Sequence, residues 1–283
     1  MRSQQHMSRS ISIFLSSLVL FGTIQLGCQT YAQSPKEITN SIGMKLVLIP
    51  KGTFTMGSPI EEDGWEKDEK QHQVDISNDY YLGVTEVTQG QYERVMGTNP
   101  SDNQKRDIRM SDSSMYPVER VSWEDAVEFC KNLSDLPEEK KVGRVYRLPT
   151  EAQWEYACRA GSKTQYSFGE SSRSIGDYAW LQENSNNRTH PVGQKKPNAW
   201  GLYDMHGNVE EWCSDWYDKY PKGPVSDPGG PKEGRFRVLR GGSYHCDPTS
   251  CRSAHRIWYI PSSRYLYAYY GFRVALIPTG IPK

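Results

Sequence analysis

Cys246 and Cys251 stand five positions apart in the run Arg240-Gly-Gly-Ser-Tyr-His-Cys-Asp-Pro-Thr-Ser-Cys-Arg-Ser-Ala-His-Arg256. Two thiols at this separation can share one soft metal ion, form a redox-active disulfide, or staple a short loop over Asp247-Pro-Thr-Ser250. As thiolates they select Cu(I) over hard cations. At low coordination such an ion keeps room for an incoming thiolate and for oxygen. Gly241 and Gly242 let the backbone approach a bound peptide closely. Ser243 offers a hydroxyl that can donate to sulfur or oxygen, and it would serve equally as an ordinary turn serine. His245 adjoins Cys246, but neighbours on an extended segment face opposite sides, so it reads as a surface residue.

The elements that must position these residues are sparse. Met44 to Met56 alternates around Pro50-Lys51-Gly52, which predicts two short strands and a turn, and Val74 to Thr85 returns to strand-like alternation. Glu61 to Gln71 is acidic and lacks calcium-loop spacing, so it reads as a solvated loop. Thr88 caps a predicted helix over 89–96 that stops at Gly97. Ser122-Trp-Glu-Asp125 and Thr150-Glu-Ala-Gln153 are capping boxes opening two more helices. Ala126, Phe129, Cys130 and Leu133 share one helical face, as do Trp154, Ala157 and Cys158, which makes Cys130 and Cys158 core thiols. After Gly161 helical periodicity is lost, and only Arg235–Leu239 and Tyr270–Ile277 read as strands. The picture is an α+β domain whose irregular second half is held by aromatics.

The 283 residues carry 34 basic and 34 acidic side chains, so neither nucleic acid nor an anionic membrane is expected as a partner. Residues 1–32 read as an export signal: Arg2 and Arg9, an apolar stretch from Ile11 to Leu26, then Thr30-Tyr31-Ala32. Leu26-Gly27-Cys28 offers a lipoprotein cleavage box as an alternative. Residues 33–40 read as a linker. Export implies an extracytoplasmic setting, and cleavage after Ala32 leaves five cysteines, an odd number that cannot all pair within one chain. No His-Glu-x-x-His, Cys-x-x-Cys, Gly-x-Gly-x-x-Gly or Gly-x-Ser-x-Gly motif is present, so zinc hydrolysis, dinucleotide chemistry and serine hydrolysis have no support.

Seven collinear segments across residues 41–280 resemble the sulfatase-modifying-factor domain of the formylglycine-generating enzymes. They are Gly52-Thr-Phe-Thr-Met-Gly-Ser58, Val84-Thr-Glu-Val-Thr88, Pro117-Val-Glu-Arg-Val-Ser-Trp123, Arg147-Leu-Pro-Thr-Glu-Ala-Gln-Trp-Glu-Tyr-Ala157, Asn198 to Trp212, Arg240-Gly-Gly-Ser243 and Tyr270-Gly-Phe-Arg-Val-Ala275. The resemblance implies a single α+β domain of C-type-lectin-like fold with little regular structure. It implies an oxidase that converts the cysteine of a sulfatase Cys-x-Pro-x-Arg segment to formylglycine with molecular oxygen. It places Cu(I) on Cys246 and Cys251 and an active-site serine at Ser243. It also implies a structural Ca2+ bound by Asp204, Gly207, Val209 and Glu211, where carboxylate and carbonyl oxygens suit a hard cation.

Four positions depart from the family pattern. Val274 and Arg256 stand where structural cysteines are expected, Asp247 replaces a basic or aromatic neighbour of the first cysteine, and Glu210 replaces an aromatic that lines the substrate cleft. These departures bear on peptide specificity more than on fold. The alternative is a non-catalytic, lectin-like module contacting its partner through Tyr259, Tyr265, Tyr267, Tyr269 and Tyr270. Either protein is expected to be an exported monomer with no spanning helix after signal cleavage.

Overall fold

A computed structural model describes residues 37–102, 112–263 and 269–277. The predicted signal, its Cys28 alternative, Tyr265 and Tyr267 lie outside these residues. The helices are α1 (Gln89–Met96), α2 (Trp123–Asp135), α3 (Pro137–Lys141) and α4 (Glu151–Arg159). Three of them start on reciprocal caps, as their sequences require. Thr88 with Gln91, Ser122 with Asp125 and Thr150 with Gln153 each exchange side-chain and backbone hydrogen bonds. α1 ends on Gly97, whose φ of 73° is the left-handed conformation that closes a helix.

The strands are β1 (Glu37–Thr39), β2 (Lys45–Ile49), β3 (Gly52–Met56), β4 (His72–Ile76), β5 (Tyr80–Gly83), β6 (Tyr146–Arg147), β7 (Glu210–Trp216), β8 (Val225–Ser226), β9 (Arg237–Arg240), β10 (Ile257–Tyr259), β11 (Tyr270–Gly271) and β12 (Ala275–Leu276). They form sheets of order β1-β2-β5-β12-β6, β10-β9-β7-β11 and β3-β4-β8. β11 and β12 sit in different sheets, so Tyr270 to Ile277 is two short strands instead of the single strand expected. Phe272, Val274 and Arg273 between them are fully buried.

One core packs α2 against α1 and the first sheet. Tyr92 stacks on Phe129 at 5.6 Å, and Phe272 meets Phe129 edge-on at 5.2 Å. A second core gathers Trp154, Ala157 and Cys158 of α4 with Val74, Ile76, Leu82 and Val238. Cys130 and Cys158 are buried in these cores, as their helical faces predict.

Three further expectations are corrected. Glu37–Thr39 is not linker but strand β1, paired antiparallel with β2 through Ile38 opposite Leu46. The acidic segment 61–71 is not simply solvated. Glu69 is fully buried and Glu62 largely so, because both accept from the buried guanidinium of Arg252 at 2.7–2.8 Å. The third correction is β7, the longest strand among the described residues, inside a stretch read as loop. Its three carboxylates hide the strand pattern, and each is buried.

Candidate functional site

The thiol pair lies on the segment leaving β9. Gly241 and Gly242 both take left-handed conformations, with φ of 97° and 69°. A Cβ on residue 242 would stand 2.6 Å from the Cys251 sulfur, so only glycine lets the two arms of the loop close together. Asp247 caps the 3-10 turn Pro248–Cys251, accepting from the Ser250 amide at 2.9 Å and the Thr249 hydroxyl at 2.7 Å. The position that departs from the family pattern therefore shapes the loop between the cysteines. The Tyr166 hydroxyl donates to the Pro248 carbonyl at 2.9 Å, and the His206 ring donates through Nδ1 to the Cys251 carbonyl at 2.8 Å. Burial pushes His206 down to about 4 and keeps it neutral, so Nε2 accepts from the Ser167 hydroxyl at 2.8 Å.

Both thiols are unbridged. Cys251 is fully buried beside Tyr166, Ile175, Ala179 and Leu181, and Cys246 packs against this cluster while remaining partly exposed. Of the two cysteines, Cys246 is therefore the one nearer solvent. The Cys246 sulfur lies 3.3 Å from the Ser243 hydroxyl and donates to Glu210 Oε1 at 3.5 Å. Burial, then the Glu210 charge, pushes the Cys246 thiol up to about 12. Burial, then Cys246, raises Cys251 well above the ordinary thiol range. Both thiols are thus protonated at neutral pH without a ligand, and a soft cation would have to displace their protons. The donor set fits Cu(I) in chemistry and charge. His245 is exposed, as expected, and meets Asn187 at 3.1 Å, but it lies in a turn closed by the Cys246 amide on the Ser243 carbonyl and not on an extended segment.

Ser243, Cys246 and Cys251 are therefore brought together, and Glu210 joins them. Sequence comparison marked Glu210 only as a departure. Its place beside the thiol follows from the pairing of β7 with β9 and β11, which the charged pattern of β7 conceals. Burial pushes its carboxyl up to about 7.

The predicted calcium loop is a separate cluster of carboxylates. Asp204 takes φ of 60°, and its Oδ2 accepts from the Gly193 amide at 2.7 Å. Its Oδ1 is buried with no hydrogen-bond partner. Glu211 accepts from Arg273 through both oxygens, at 2.6 and 2.7 Å, and from the Trp154 indole at 2.8 Å. One lone pair therefore remains on Glu211 Oε1. The neighbouring Glu86 carboxyl accepts from the Val209 amide at 3.2 Å. Burial raises Asp204 to about 6 and Glu86 well above the carboxylate range, and each is raised further by neighbouring acids. An orphaned carboxylate oxygen amid an excess of buried acids fits a hard cation.

Among the described residues no three His, Cys, Asp or Glu side chains converge as a metal-binding group. At the calcium loop the remaining ligands would be the Gly207 and Val209 carbonyls. At the thiol pair the remaining ligand would be an incoming thiolate. The large groove of about 650 Å³ between α2 and β6, lined by Val127, Cys130, Tyr146 and Arg147, contains neither Cys246 nor Cys251. No helix among the described residues is long and apolar enough to cross a membrane.

The chain resembles known proteins over most of its length. It is 34% identical to the chaperone protein LppX of Paenibacillus barcinonensis over 244 residues, covering 70% of this chain and 78% of that one. It is 39% identical to the formylglycine-generating enzyme of Streptomyces coelicolor over 150 residues, covering 48% of this chain and 44% of the relative. Its fold superposes on Treponema denticola variable protein 1 with a TM-score of 0.76 and 31% identity, covering 86% of this chain and 99% of that one. Residues 31–277 match the sulfatase-modifying factor enzyme 1-like domain, and the chain belongs to that family.

Proposed function

We propose that the protein is a formylglycine-generating oxidase. It would act on the cysteine of an extended Cys-x-Pro-x-Arg segment of an exported sulfatase, with Cu(I) held by Cys246 and Cys251. The observation that carries this reading is the unbridged thiol pair, of which Cys246 is partly exposed, with its sulfur 3.3 Å from the Ser243 hydroxyl. Bound Cu(I) would supply affinity for the substrate thiolate and reactivity toward oxygen. Cys251 would anchor the ion from the packed side and Cys246 from the open side. Ser243 would donate to the sulfur or oxygen species at the mouth of the pair. Asp204 and Glu211, with the Gly207 and Val209 carbonyls, would hold Ca2+ in a structural role.

The overall change balances with a thiol reductant. A substrate CH2–SH, one O2, two electrons and two protons give the aldehyde, hydrogen sulfide and water. The test is mass spectrometry of a Cys-x-Pro-x-Arg peptide incubated with protein, Cu(I), oxygen and a monothiol. The expected product is the aldehyde, lost in Cys246→Ser. A peptide left unchanged by a copper-loaded protein would sink the proposal.

Two observations favour a second reading. The buried carboxyl of Glu210 occupies the place of a cleft aromatic, and the LppX relative is named a chaperone. On that reading the domain binds an unfolded partner without oxidising it. The same peptide would then bind and be recovered intact.

A further inference from the structure

The Cys246 sulfur is held at two points. The Ser243 hydroxyl lies 3.3 Å away and Glu210 Oε1 accepts from the thiol at 3.5 Å, while the Cys246 amide donates to the Ser243 carbonyl at 3.0 Å. A cysteine side chain has one torsion with three staggered wells. A half-exposed thiol without partners would sample several of them, and two directional contacts select one.

Glu210 is well placed to impose that choice. It lies on β7 opposite Tyr270, and its amide donates to the Tyr269 carbonyl at 2.8 Å, so its backbone is fixed. Its carboxyl is buried, and Oε2 has no hydrogen-bond partner. The contact to Cys246 is thus what the carboxyl gains for being there. A buried carboxyl satisfied on one oxygen is poorer for stability than an apolar side chain of similar size.

We infer that Glu210 is a positioning residue for Cys246. With Ser243 it brackets the sulfur and holds it at the open side of the pair, where it meets an incoming metal ion or thiolate. The inference rests on the reading that the pair is the reacting site. It goes further by assigning a role to a carboxyl that departs from the family pattern.

Stability and thiol behaviour should move in opposite directions when Glu210 is replaced, which a merely structural role would not produce. In Glu210→Leu the melting temperature is expected at or above that of the wild type. Glu210→Leu and Glu210→Gln lose the same charge beside the thiol, so their Cu(I) affinities, measured by competition with bicinchoninate, are compared with each other, and Glu210→Leu should bind roughly 10- to 100-fold more weakly, the usual effect of losing an outer partner of a metal ligand. Alkylation of Cys246 by iodoacetamide in the metal-free protein, followed by peptide mass spectrometry, should rise at least threefold as the thiol swings free. Glu210→Gln keeps an acceptor oxygen, so its alkylation rate should stay at least threefold below that of Glu210→Leu.

A wild-type alkylation rate in Glu210→Leu would overturn the inference. So would a Glu210→Leu protein that fails to fold, or a Glu210→Gln protein that falls as far as Glu210→Leu. If the wild type itself binds no Cu(I), the proposed function fails, and the alkylation rates still decide the role of Glu210.

Discussion

Replacing Gly242 with alanine tests whether the loop geometry sets the thiol pair. The backbone at this position has φ of 69°, which costs an L-residue about 1–2 kcal/mol. The added methyl would also lie 2.6 Å from the Cys251 sulfur, 2.9 Å from the Ser250 carbonyl oxygen and 3.1 Å from the Cys251 Cα. Two of these atoms are backbone, held by the Asp247 cap and the His206 contact to the Cys251 carbonyl, so they do not yield easily. Overpacking of this kind costs about 1–3 kcal/mol, giving a total of roughly 2–5 kcal/mol. Gly97→Ala is the matched control, with φ of 73° and nothing within 4 Å of its Cβ position, so only the conformational cost applies. Urea unfolding of both variants should therefore show Gly242→Ala the less stable by about 1–3 kcal/mol. Gly242→Ala should also lose Cu(I) affinity, because the sulfur of Cys251 is displaced. Equal destabilisation of the two variants, with copper affinity intact in both, would refute the argument.

Three further outcomes follow from the site. Both thiols sit above the ordinary range, Cys246 at about 12, so each one bound as thiolate displaces a proton. Cu(I) affinity should rise with pH, by up to roughly 100-fold per unit between pH 6 and 8 if two protons leave, and a flat profile in competition titrations would exclude two-thiolate binding. Arg273→Met strips Glu211 of its buried partner and should cost about 3–5 kcal/mol in urea unfolding, with part recovered by adding Glu211→Gln. Millimolar Ca2+ should raise the melting temperature of the wild type but not of Asp204→Asn, and a wild type indifferent to Ca2+ would rule out the proposed ligand set.

Legibility in the sequence tracked how local each instruction is. The helix starts were readable because a capping box lies within four consecutive residues, and Thr88, Ser122 and Thr150 each cap as their neighbours dictate. The α+β class was readable from those helices and from alternating segments such as 44–56, whereas the lectin-like fold and the role of the thiol segment came from the family resemblance of seven collinear segments. β7 was not, since Glu210, Glu211 and Asp215 look solvent-facing until their partners are known. Glu211 is answered by Arg273, sixty-two positions away, and Asp215 by the amide of Glu151 at 2.9 Å. The same blindness turned Glu62 and Glu69 into a solvated loop. Arg252, which buries them, lies more than 180 positions further along the chain.

Those distant pairs explain how a segment with so little regular structure can hold a defined site. Between β9 and β10 the cysteines are flanked by three buried arginines, two tied to α4 and one to the acidic segment 61–71. Arg240 reaches Glu155 on α4 and the Ala254 carbonyl at 2.7 Å. Arg252 takes Glu62 and Glu69 together with the Thr249 carbonyl at 2.9 Å. Arg256 clamps Glu151 through two bonds of 2.6 and 2.9 Å. Buried ion pairs add little net stability over apolar packing, but removing one partner is severe, so their main effect here is on geometry. Arg240 and Arg252 each bond a distant carboxylate and a carbonyl of their own loop at once, while Arg256 adds the Asp68 and Asp218 carbonyls to its carboxylate, forks that a lysine ammonium cannot reproduce. Cys251 lies directly before one of these anchors, so its sulfur is fixed by the fold. Cys246 lies between anchors and depends on Ser243 and Glu210. The buried sulfur is therefore the fixed half of the pair, and the half-exposed one is the half that its hydrogen-bond partners can tune.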